Sequence, residues 1–314
     1  MSTLGRRLKR RALLARRAGR KFRWHRPNWL KKPRLLLKFR MPGGRLRLPY
    51  SLFAAEGRLE VRITRDRADI SAAQALRYRV FYEELGAKAD AATARSGRDF
   101  DKFDAYCDHL LVIDHSRPRA EAVVGTYRLL RHEVALKHGG FYSAGEYDIM
   151  PLVSNLSSLG GMVEVGRSCV HKDYRTNWVI QLLWRGIAGY IAAHQVKFLF
   201  GCASFAGTDV AKHALPLSHL YYEHLAPEYL RVQALPGRRV DMRILPPDAV
   251  DKAKARKLLP PLVKAYLRLG AFIGDGAVLD EQFGTTDVFI VLPIERVAPK
   301  YTAHFERNEI IAAS

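Results

Sequence analysis

Acidic residues are absent from the first 48 residues of this 314-residue chain, although that segment contains 18 Lys and Arg residues. All 31 Asp and Glu residues follow it, together with the remaining 34 of the 52 basic residues, which leaves a net charge of +3 there. The overall net charge of +21 therefore belongs to an N-terminal extension. The total charge thus does not indicate a nucleic-acid-binding surface on the folded part of the chain.

Cysteine is scarce as well. The three cysteines, Cys107, Cys169 and Cys202, form neither a CxxC motif nor a Cys–His spacing typical of a metal site. This pattern excludes a disulfide framework and fits a reduced, cytosolic compartment. No metal-ligand cluster and no Ser-His-Asp arrangement stands out in the sequence, so we expect no metal site and no bound cofactor.

Long apolar runs are also missing. No stretch approaches the roughly 18 to 20 apolar residues that a membrane-spanning helix needs. The apolar stretch nearest the N-terminus is ALLA at residues 12–15, which is too short for a secretory signal peptide. An arginine-rich start without acidic residues is also typical of mitochondrial transit peptides, and the sequence leaves that alternative open.

Basic residues of the N-terminal extension are interleaved with apolar and aromatic ones, including Trp24, Trp29 and the run LLLKF at residues 35–39. This mixture favours an anionic membrane surface, where the charges meet headgroups and the rings lie at the interface. We therefore expect a cytoplasmic protein held peripherally on the inner face of the membrane by residues 1–48. A disordered tail is an alternative. Nucleic acid is a less favoured partner, because nothing downstream resembles a nucleic-acid-binding motif.

From residue 58 onward, strand and helix patterns alternate. Apolar alternation or continuous apolar runs predict strands at residues 58–64, 109–114, 122–130, 162–171, 197–205 and 287–294. Helical periodicity predicts helices at residues 69–86, 132–138, 175–195 and 248–269, the last divided by Pro260 and Pro261. The fold class is therefore mixed α/β, with a strand–turn–helix–strand unit at its centre.

The stretch VEVGRSCVHKDYR at residues 163–175 is unusual for a central strand because it carries Glu164 and Arg167. Residues three apart in a regular strand face opposite sides of the sheet. Gly166 lies between them and is a candidate for a β-bulge, which would bring both side chains to one face. A bulge would also leave backbone groups free to bind an extended ligand. The alternative interpretation is a structural Glu–Arg ion pair.

This strand, the arginine-led turn, the following helix and the next apolar strand resemble the core of the GNAT acyltransferase fold. That resemblance implies a mixed central sheet flanked by helices, with a thioester arm lying in the splay between two central strands. The turn reads RTNWVI at residues 175–180 and lacks the two glycines of the acetyl-CoA enzymes. A carrier with a single phosphodiester therefore fits better than coenzyme A, with Arg175 meeting its phosphate at the helix start.

Two families that use acyl-acyl carrier protein depart from the acetyl-CoA enzymes in a similar way. The acyl-homoserine-lactone synthases share RYRVFYEELG (77–86), the aspartates of FDKFDAYCDHLLVI (100–113), the G-x-x-R-L-L of residues 125–130 and the E-x-x-R of residues 164–167. The ornithine acyl-ACP N-acyltransferases are more similar still, through GEYDI (145–149), GRSCVHKDYRT (166–176), QLLWRGI (181–187), FGCASFAGTD (200–209), LPPLVKAYLRLGA (259–271) and GDGAVLDEQFGTTDVFIVLP (274–293). The similarity covers roughly residues 50–305 and leaves the N-terminal extension outside.

The resemblance implies transfer of a 3-hydroxyacyl chain from acyl carrier protein to the α-amine of L-ornithine, giving lyso-ornithine lipid. The 4′-phosphopantetheine thioester of the carrier would be a donor substrate rather than a bound cofactor. Glu164 would accept a proton from the amine. Arg167 would orient Glu164 or hold the amino acid's carboxylate, and Arg128 would recognise a carboxylate or form a structural pair. Asp101 and Asp104 would hold the side-chain ammonium, with a solvated acidic loop as the alternative.

Three segments follow from these patterns: the basic extension at residues 1–48, a GNAT-like core at 49–245, and a helical and strand region at 246–314 packed on that core. Acylation of another amino acid, such as glycine or lysine, is an alternative function. A non-enzymatic membrane- or nucleic-acid-binding protein on a GNAT scaffold is another. We do not expect a covalent acyl-cysteine intermediate, because no histidine is placed beside Cys169 or Cys202 by the sequence.

Overall fold

A computed structural model of the chain describes residues 52–53, 58–156, 160–175 and 177–297. The extension at residues 1–48 lies outside these ranges, so its expected membrane role stays a prediction. Within the described ranges, none of the helices is both long enough and apolar enough to cross a membrane.

Eleven strands and eight α-helices are formed by the described residues. The strands are β1 Leu52–Phe53, β2 Leu59–Thr64, β3 Asp108–Asp114, β4 Val123–Arg131, β5 Tyr147–Asp148, β6 Met162–Val170, β7 Phe198–Ala206, β8 Gln233–Ala234, β9 Arg239–Val240, β10 Phe272–Asp280 and β11 Thr285–Pro293. The helices are α1 Arg67–Tyr78, α2 Ala91–Ser96, α3 His132–Ala135, α4 Met150–Leu156, α5 Asn177–His194, α6 Ala214–His224, α7 Lys252–Leu258 and α8 Pro261–Leu269. A π-helical turn, Arg79–Glu84, extends α1.

The strands form one sheet in the order β1-β2-β3-β4-β6-β7-β11-β10-β8-β5, with β9 paired to β10. Neighbouring strands are antiparallel except for the parallel pairs β6–β7 and β8–β10. Strand β11 pairs with β7 along its whole length, so residues from the C-terminal part of the chain belong to the central sheet. This arrangement confirms the mixed α/β fold with a central mixed sheet.

Helices cover both faces of the sheet. Helix α5 packs on β2, β3 and β4, whereas α1 packs on β4 and β6. The approach of α5 is close at Gly186: a Cβ atom there would lie 2.5 Å from Leu110 Cδ1, so a larger residue would require the Leu110 side chain to move. Asp66 begins α1 by accepting hydrogen bonds from the amides of Ala68 and Asp69, as an N-cap residue does.

Strands β6 and β7 pair only at their first three residues, Met162–Glu164 with Phe198–Phe200. Both strands continue for six further residues, and a cavity lies between them. Gly201 follows the last paired residue, and a Cβ atom there would lie 2.2 Å from the carbonyl oxygen of Val165. Only glycine therefore fits where the two strands separate.

The predicted bulge in β6 is confirmed, but its position is one residue further along. Cys169 pairs with Thr126 and Gly166 pairs with Arg128, so β6 has one residue more than β4 between these pairs. The residue with positive φ is Arg167, at 49°, and not Gly166. A non-glycine residue in this conformation is unusual, and such strain is concentrated at functional sites.

Strand β10 and helix α6 were not predicted from the sequence. Strand β10 contains Gly274 and Gly276, and its register with β11 shifts between Ile273 and Ala277, so its apolar alternation is interrupted. Helix α6 is buried along Pro216–Leu220, so it shows no contrast between an apolar and a polar face. Both elements escape pattern analysis because tertiary packing, and not local periodicity, determines them.

Candidate active site

A cavity of about 360 Å³ occupies the space between the diverging strands β6 and β7. Its walls include both strands, the segment Tyr142–Ser143, helix α8 through Leu262 and Tyr266, and the turn between β10 and β11. Because α8 packs against β7 and β11, the cavity extends from one face of the sheet towards the other. An extended ligand could therefore lie along β6 in the place of a neighbouring strand.

Glu164 lies in the wall of this cavity and is nearly fully buried. Its carboxylate accepts hydrogen bonds from the amides of Tyr142 (2.8 Å) and Ser143 (2.7 Å) and from the Ser143 hydroxyl. Burial raises the pKa of Glu164 above its ordinary value, although these three hydrogen bonds act in the opposite direction. A carboxylate with a raised pKa accepts a proton more readily, as a general base must.

Arg167 reaches the same face of the sheet as Glu164 because of the bulge. Its guanidinium lies over the rings of Tyr142 (4.8 Å) and Phe283 (4.9 Å). Its Nε donates to Asp99 Oδ2 at 3.1 Å and its Nη2 to Asp101 Oδ2 at 3.3 Å. Arg167 thus pairs with aspartates while Glu164 is held by amides and a hydroxyl, and the alternative of a direct Glu–Arg ion pair is wrong.

Arg128 of strand β4 is buried beside Arg167. Its Nη1 donates to Asp101 Oδ1 at 2.6 Å and to Asp104 Oδ1 at 3.4 Å. The guanidinium also lies 5.5 Å from the ring centres of Phe103 and Tyr142. Since Asp101 accepts from both arginines, it holds the two guanidinium groups next to each other in the wall of the cavity.

Asp104 does not lie in a solvated loop, so that alternative is wrong. Its two carboxylate oxygens accept from Nη1 (3.0 Å) and Nη2 (2.8 Å) of Arg77, and both residues are buried. These arginine contacts hold the pKa of Asp104 well below its usual range, against the effect of burial. With its oxygens occupied by Arg77, Asp104 has a structural role in the arrangement and is not free to hold an ammonium group. Sequence analysis did not identify Arg77 as its partner.

Arg175 lies at the surface, in the turn between β6 and α5, with its side chain 43% exposed. Its Nη1 forms an ion pair with Glu84, and its Nε donates to the carbonyl of Val170 at 3.2 Å. The geometry places a cation beside the start of α5. Its assignment to the carrier's phosphate stays a prediction.

Asp280 and Asp287 line another part of the cavity, and Glu146 joins them there, so that oxygen atoms of the three carboxylates all lie within 4.8 Å of one another. We call them the acidic trio. Sequence analysis gave them no role, although Glu146 lies in GEYDI and the other two in the motif at residues 274–293. Their distance along the chain concealed the cluster, because β10, β11 and the segment before β5 become neighbours only in the folded sheet.

The buried cysteines agree with the expectation of no acyl-cysteine intermediate. Burial raises the pKa of the Cys169 thiol to about 12 and that of the Cys202 thiol well above its ordinary value. Cys202 lines the cavity, and its Sγ lies 3.4 Å from Glu146 Oε2. Because the thiolate is the nucleophile and these thiols stay protonated at neutral pH, neither is activated for attack.

Comparison with known proteins identifies the family of this chain. Residues 76–185 match the family described as Acetyltransferase (GNAT) domain. An L-ornithine N(alpha)-acyltransferase of Brucella abortus (strain 2308) is 50% identical over 259 residues, which cover 81% of this chain and 92% of that protein. A second, from Agrobacterium fabrum (strain C58), is 46% identical and covers 81% of this chain and 87% of that protein. The chain belongs to the L-ornithine N(alpha)-acyltransferase family.

A solved structure of an N-acyl amino acid synthase from uncultured soil microbes is similar at a TM-score of 0.43 and 11% identity, covering 76% of this chain and 92% of that chain. Within this member of the L-ornithine N(alpha)-acyltransferase family, Glu164, Arg167 and Arg128 lie inside the GNAT match. Asp280 and Asp287 lie beyond its end. The acidic trio is therefore completed by strands that the GNAT match does not include.

Proposed function

We propose that this protein transfers a 3-hydroxyacyl chain from acyl carrier protein to the α-amine of L-ornithine. The observation that carries the proposal is the buried Glu164 carboxylate in the wall of the cavity between β6 and β7. Membership of the L-ornithine N(alpha)-acyltransferase family supports the acceptor and the bond that is formed. The product is a lyso-ornithine lipid, which places the enzyme in lipid biosynthesis.

The donor arm would lie in the splay between the two strands. Beyond Glu164, β6 has no partner on the β7 side along the rest of its described length, so an extended thioester arm can pair with its backbone. The turn after β6 lacks the glycines of acetyl-CoA enzymes. A phosphopantetheine arm with one phosphate, neutralised by Arg175 at the protein surface, needs less space than coenzyme A. Acyl carrier protein is acidic, so such an exposed cation favours its docking.

The reaction requires deprotonation of the acceptor. An α-ammonium group loses two protons as it becomes an amide nitrogen, while the carbon–sulfur bond breaks and the departing thiolate takes one of them. The other proton is released to solvent. Glu164 would accept the first proton, directly or through water, and so make the nitrogen lone pair available for attack on the thioester carbon. Its raised pKa suits this role.

The amino acid's carboxylate would bind the arginines beside Glu164. Arg167 and Arg128 are held by Asp101 and by the ring of Tyr142, which fixes their direction before a ligand arrives. A guanidinium can hold a carboxylate by two parallel hydrogen bonds. Asp101 is then a positioning residue for the two arginines. The product is amphiphilic, and binding of residues 1–48 to the inner membrane surface would place its release at the membrane.

An assay with purified protein, 3-hydroxyacyl-ACP and L-ornithine, read by mass spectrometry, tests the proposal. We expect an amide on the α-nitrogen, and we expect 3-hydroxyacyl-CoA to be a poorer donor. Glu164→Gln should lower kcat by about 10²–10⁴-fold, because general base catalysis contributes that much. Glu228→Gln, at an exposed position, is the matched control. If acyl-ACP stays intact with ornithine and with every other amino acid, the proposed function is wrong.

A further inference from the structure

The acidic trio consists of carboxylates from three separate segments of the chain. Glu146 follows a 3-10 turn, Asp280 ends β10 and Asp287 lies within β11. Asp280 Oδ1 accepts from the amides of Gln282 and Phe283, both at 2.9 Å, which fixes this side chain at the turn between the strands. The fold therefore holds three negative groups together at defined positions.

The trio has little cationic compensation. Asp287 is 7% exposed, and its Oδ1 has no hydrogen-bond partner among the described residues. The ion pairs of the described residues bring one cation to the trio: Arg238, whose Nη2 lies 3.6 Å from Glu146 Oε1. Arg238 is 40% exposed and donates to the carbonyls of Gly145 and Leu279. A buried carboxylate oxygen without a partner is costly unless a ligand supplies a donor.

The raised pKa values of Glu146 and Asp287 are those of a site that binds a cation. Burial raises the pKa of Glu146 to about 7, and the charge of Asp287 adds to the shift. Burial also raises the pKa of Asp287, although the side chains of Thr285 and Ser204 and the charge of Arg167 act in the opposite direction. A positively charged ligand would be stabilised by all three groups and would in turn favour the ionised forms of Glu146 and Asp287. The site thus favours a small cation with several N–H donors.

The trio faces the same cavity as Glu164. Asp280, Asp287 and Cys202 line the cavity, and Cys202 contacts Glu146. Cys202 lies two residues beyond Phe200, the partner of Glu164 in the sheet, which corresponds to about 7 Å along the strand. The two amino groups of an extended ornithine are separated by five bonds, or about 6 Å. The two lengths are of the same order, and the charges of Glu146, Asp287 and Glu164 all act on the Cys202 thiol, which agrees with one diamino acid lying between Glu164 and the trio.

We propose that Glu146, Asp280 and Asp287 bind the terminal ammonium group of the acceptor's side chain. The trio would thereby select a diamino acid over a neutral amino acid and direct acylation to the α-nitrogen, which is left beside Glu164. This inference rests on the proposed function. It replaces Asp101 and Asp104 in the ammonium-binding role, because the oxygens of those aspartates accept from Arg77, Arg128 and Arg167.

The assignment is tested by combining variants in which a carboxylate of the trio is neutralised with an acceptor that lacks the terminal amine. L-norvaline has the carbon chain of ornithine without the terminal amine. We expect wild-type protein to use ornithine far better than norvaline. Asp287→Asn and Glu146→Gln should each lower kcat/KM for ornithine by about 10–100-fold, mainly through KM, because a hydrogen-bonded charge pair is lost. Both should leave the value for norvaline unchanged or raised, and Asp248→Asn, at an exposed position, should change neither.

A binding measurement without the acyl donor separates ligand recognition from a structural role. Removing one of three neighbouring negative charges relieves repulsion, so the Tm of ligand-free Asp287→Asn protein should rise above that of wild type. Ornithine should raise the Tm of the wild-type protein and shift the variant much less. A carboxylate that merely stabilised the fold would give a lower Tm on substitution. If Asp287→Asn does not fold, that stabilising role is the explanation and the assignment is wrong.

The outcomes distinguish a failure of the proposed function from a failure of the inference about the trio. If wild-type protein acylates no amino acid, the proposed function fails. If it acylates ornithine but Asp287→Asn and Glu146→Gln keep the wild-type ratio of ornithine to norvaline activity, only the inference about the trio fails. Loss of ornithine activity on chelator treatment, with recovery on adding Mg²⁺, would mean that the trio holds a metal ion and would also overturn it.

Discussion

Two groups of buried carboxylates lie near the cavity, and they differ in their partners. Asp99, Asp101 and Asp104 form ion pairs with Arg77, Arg128 and Arg167. We call these six residues the paired cluster. Among the described residues, one ion pair reaches the acidic trio, from the half-exposed Arg238 at 3.6 Å. The pKa values of Asp104 and Glu146 accordingly move in opposite directions, down in the paired cluster and up in the trio.

This difference distinguishes the carboxylates that stabilise the fold from those that bind a ligand. In the paired cluster, each negative charge already has its counter-charge, so the cluster fixes Arg128 and Arg167 and contributes to stability only as a unit. In the trio, the described residues form one ion pair with three carboxylates, and Asp287 Oδ1 has no hydrogen-bond partner among them. Uncompensated buried charge lowers stability and is retained where it serves binding or catalysis. The number of ion-pair and hydrogen-bond partners therefore distinguishes structural carboxylates from ligand-binding ones better than the pKa or the buried fraction alone.

The largest effect should come from breaking the paired cluster. Asp104→Asn keeps the shape of the side chain but leaves Arg77 buried with less negative charge, so we expect a loss of about 3–5 kcal/mol in the free energy of unfolding. Chemical denaturation measures this value. The matched variant Asp287→Asn in the trio should stabilise the ligand-free protein instead. Destabilisation of equal size in both variants would contradict the distinction between the two groups.

A smaller effect should appear in the pH dependence of stability. The folded-state pKa of Glu146, about 7, lies above its ordinary value of 4.5, so the folded state binds more protons between these values. Stability should therefore fall as pH rises from about 4.5 to 7, by about 3 kcal/mol at the most. Asp104 has the opposite sign: its contribution is present above its ordinary pKa and is lost as pH falls through its lowered folded-state pKa.

Denaturation curves of wild-type and Glu146→Gln protein across this range measure the Glu146 contribution by difference. The subtraction matters because burial lowers the pKa values of several histidines, including His109 and His219, and these groups also make stability depend on pH. The free energy of unfolding of the wild-type protein minus that of Glu146→Gln protein should decrease as pH rises and become constant above about pH 7. Parallel curves for the two proteins would show that Glu146 has no raised pKa.

Much of the fold follows from the sequence because local patterns are consistent with the sheet. The strands that became β2, β3, β4, β6 and β7 were predicted from apolar runs, and the bulge in β6 from a glycine beside misplaced polar residues. The position of the bulge was one residue off, because the sequence offered Gly166 as the natural left-handed residue. Packing of the Arg167 guanidinium between two rings holds the positive φ at Arg167 instead.

The site was only partly predictable for a different reason. Glu164, Arg167 and Arg128 line the cavity and Asp101 contacts both arginines, and their spacing in motifs gave the signal. The trio was missed because β10 breaks the apolar alternation at Gly274 and Gly276, which hid the strand that ends in Asp280. A carboxylate at the end of an unrecognised strand cannot be placed beside another one by spacing alone. Its charge partners, or their absence, become visible only after the sheet is assembled.

The smallest effect should come from the one cation beside the trio. Arg238→Gln removes an ion pair that is partly exposed and 3.6 Å long, so the free energy of unfolding should change by less than about 1 kcal/mol. The described residues would then form no ion pair with the trio, so a bound ammonium group would supply more of the positive charge that balances the carboxylates. KM for ornithine should therefore fall slightly, while that for norvaline stays constant. Steady-state kinetics with both acceptors measures this, and a higher KM for ornithine would mean that Arg238 orients Glu146 for binding.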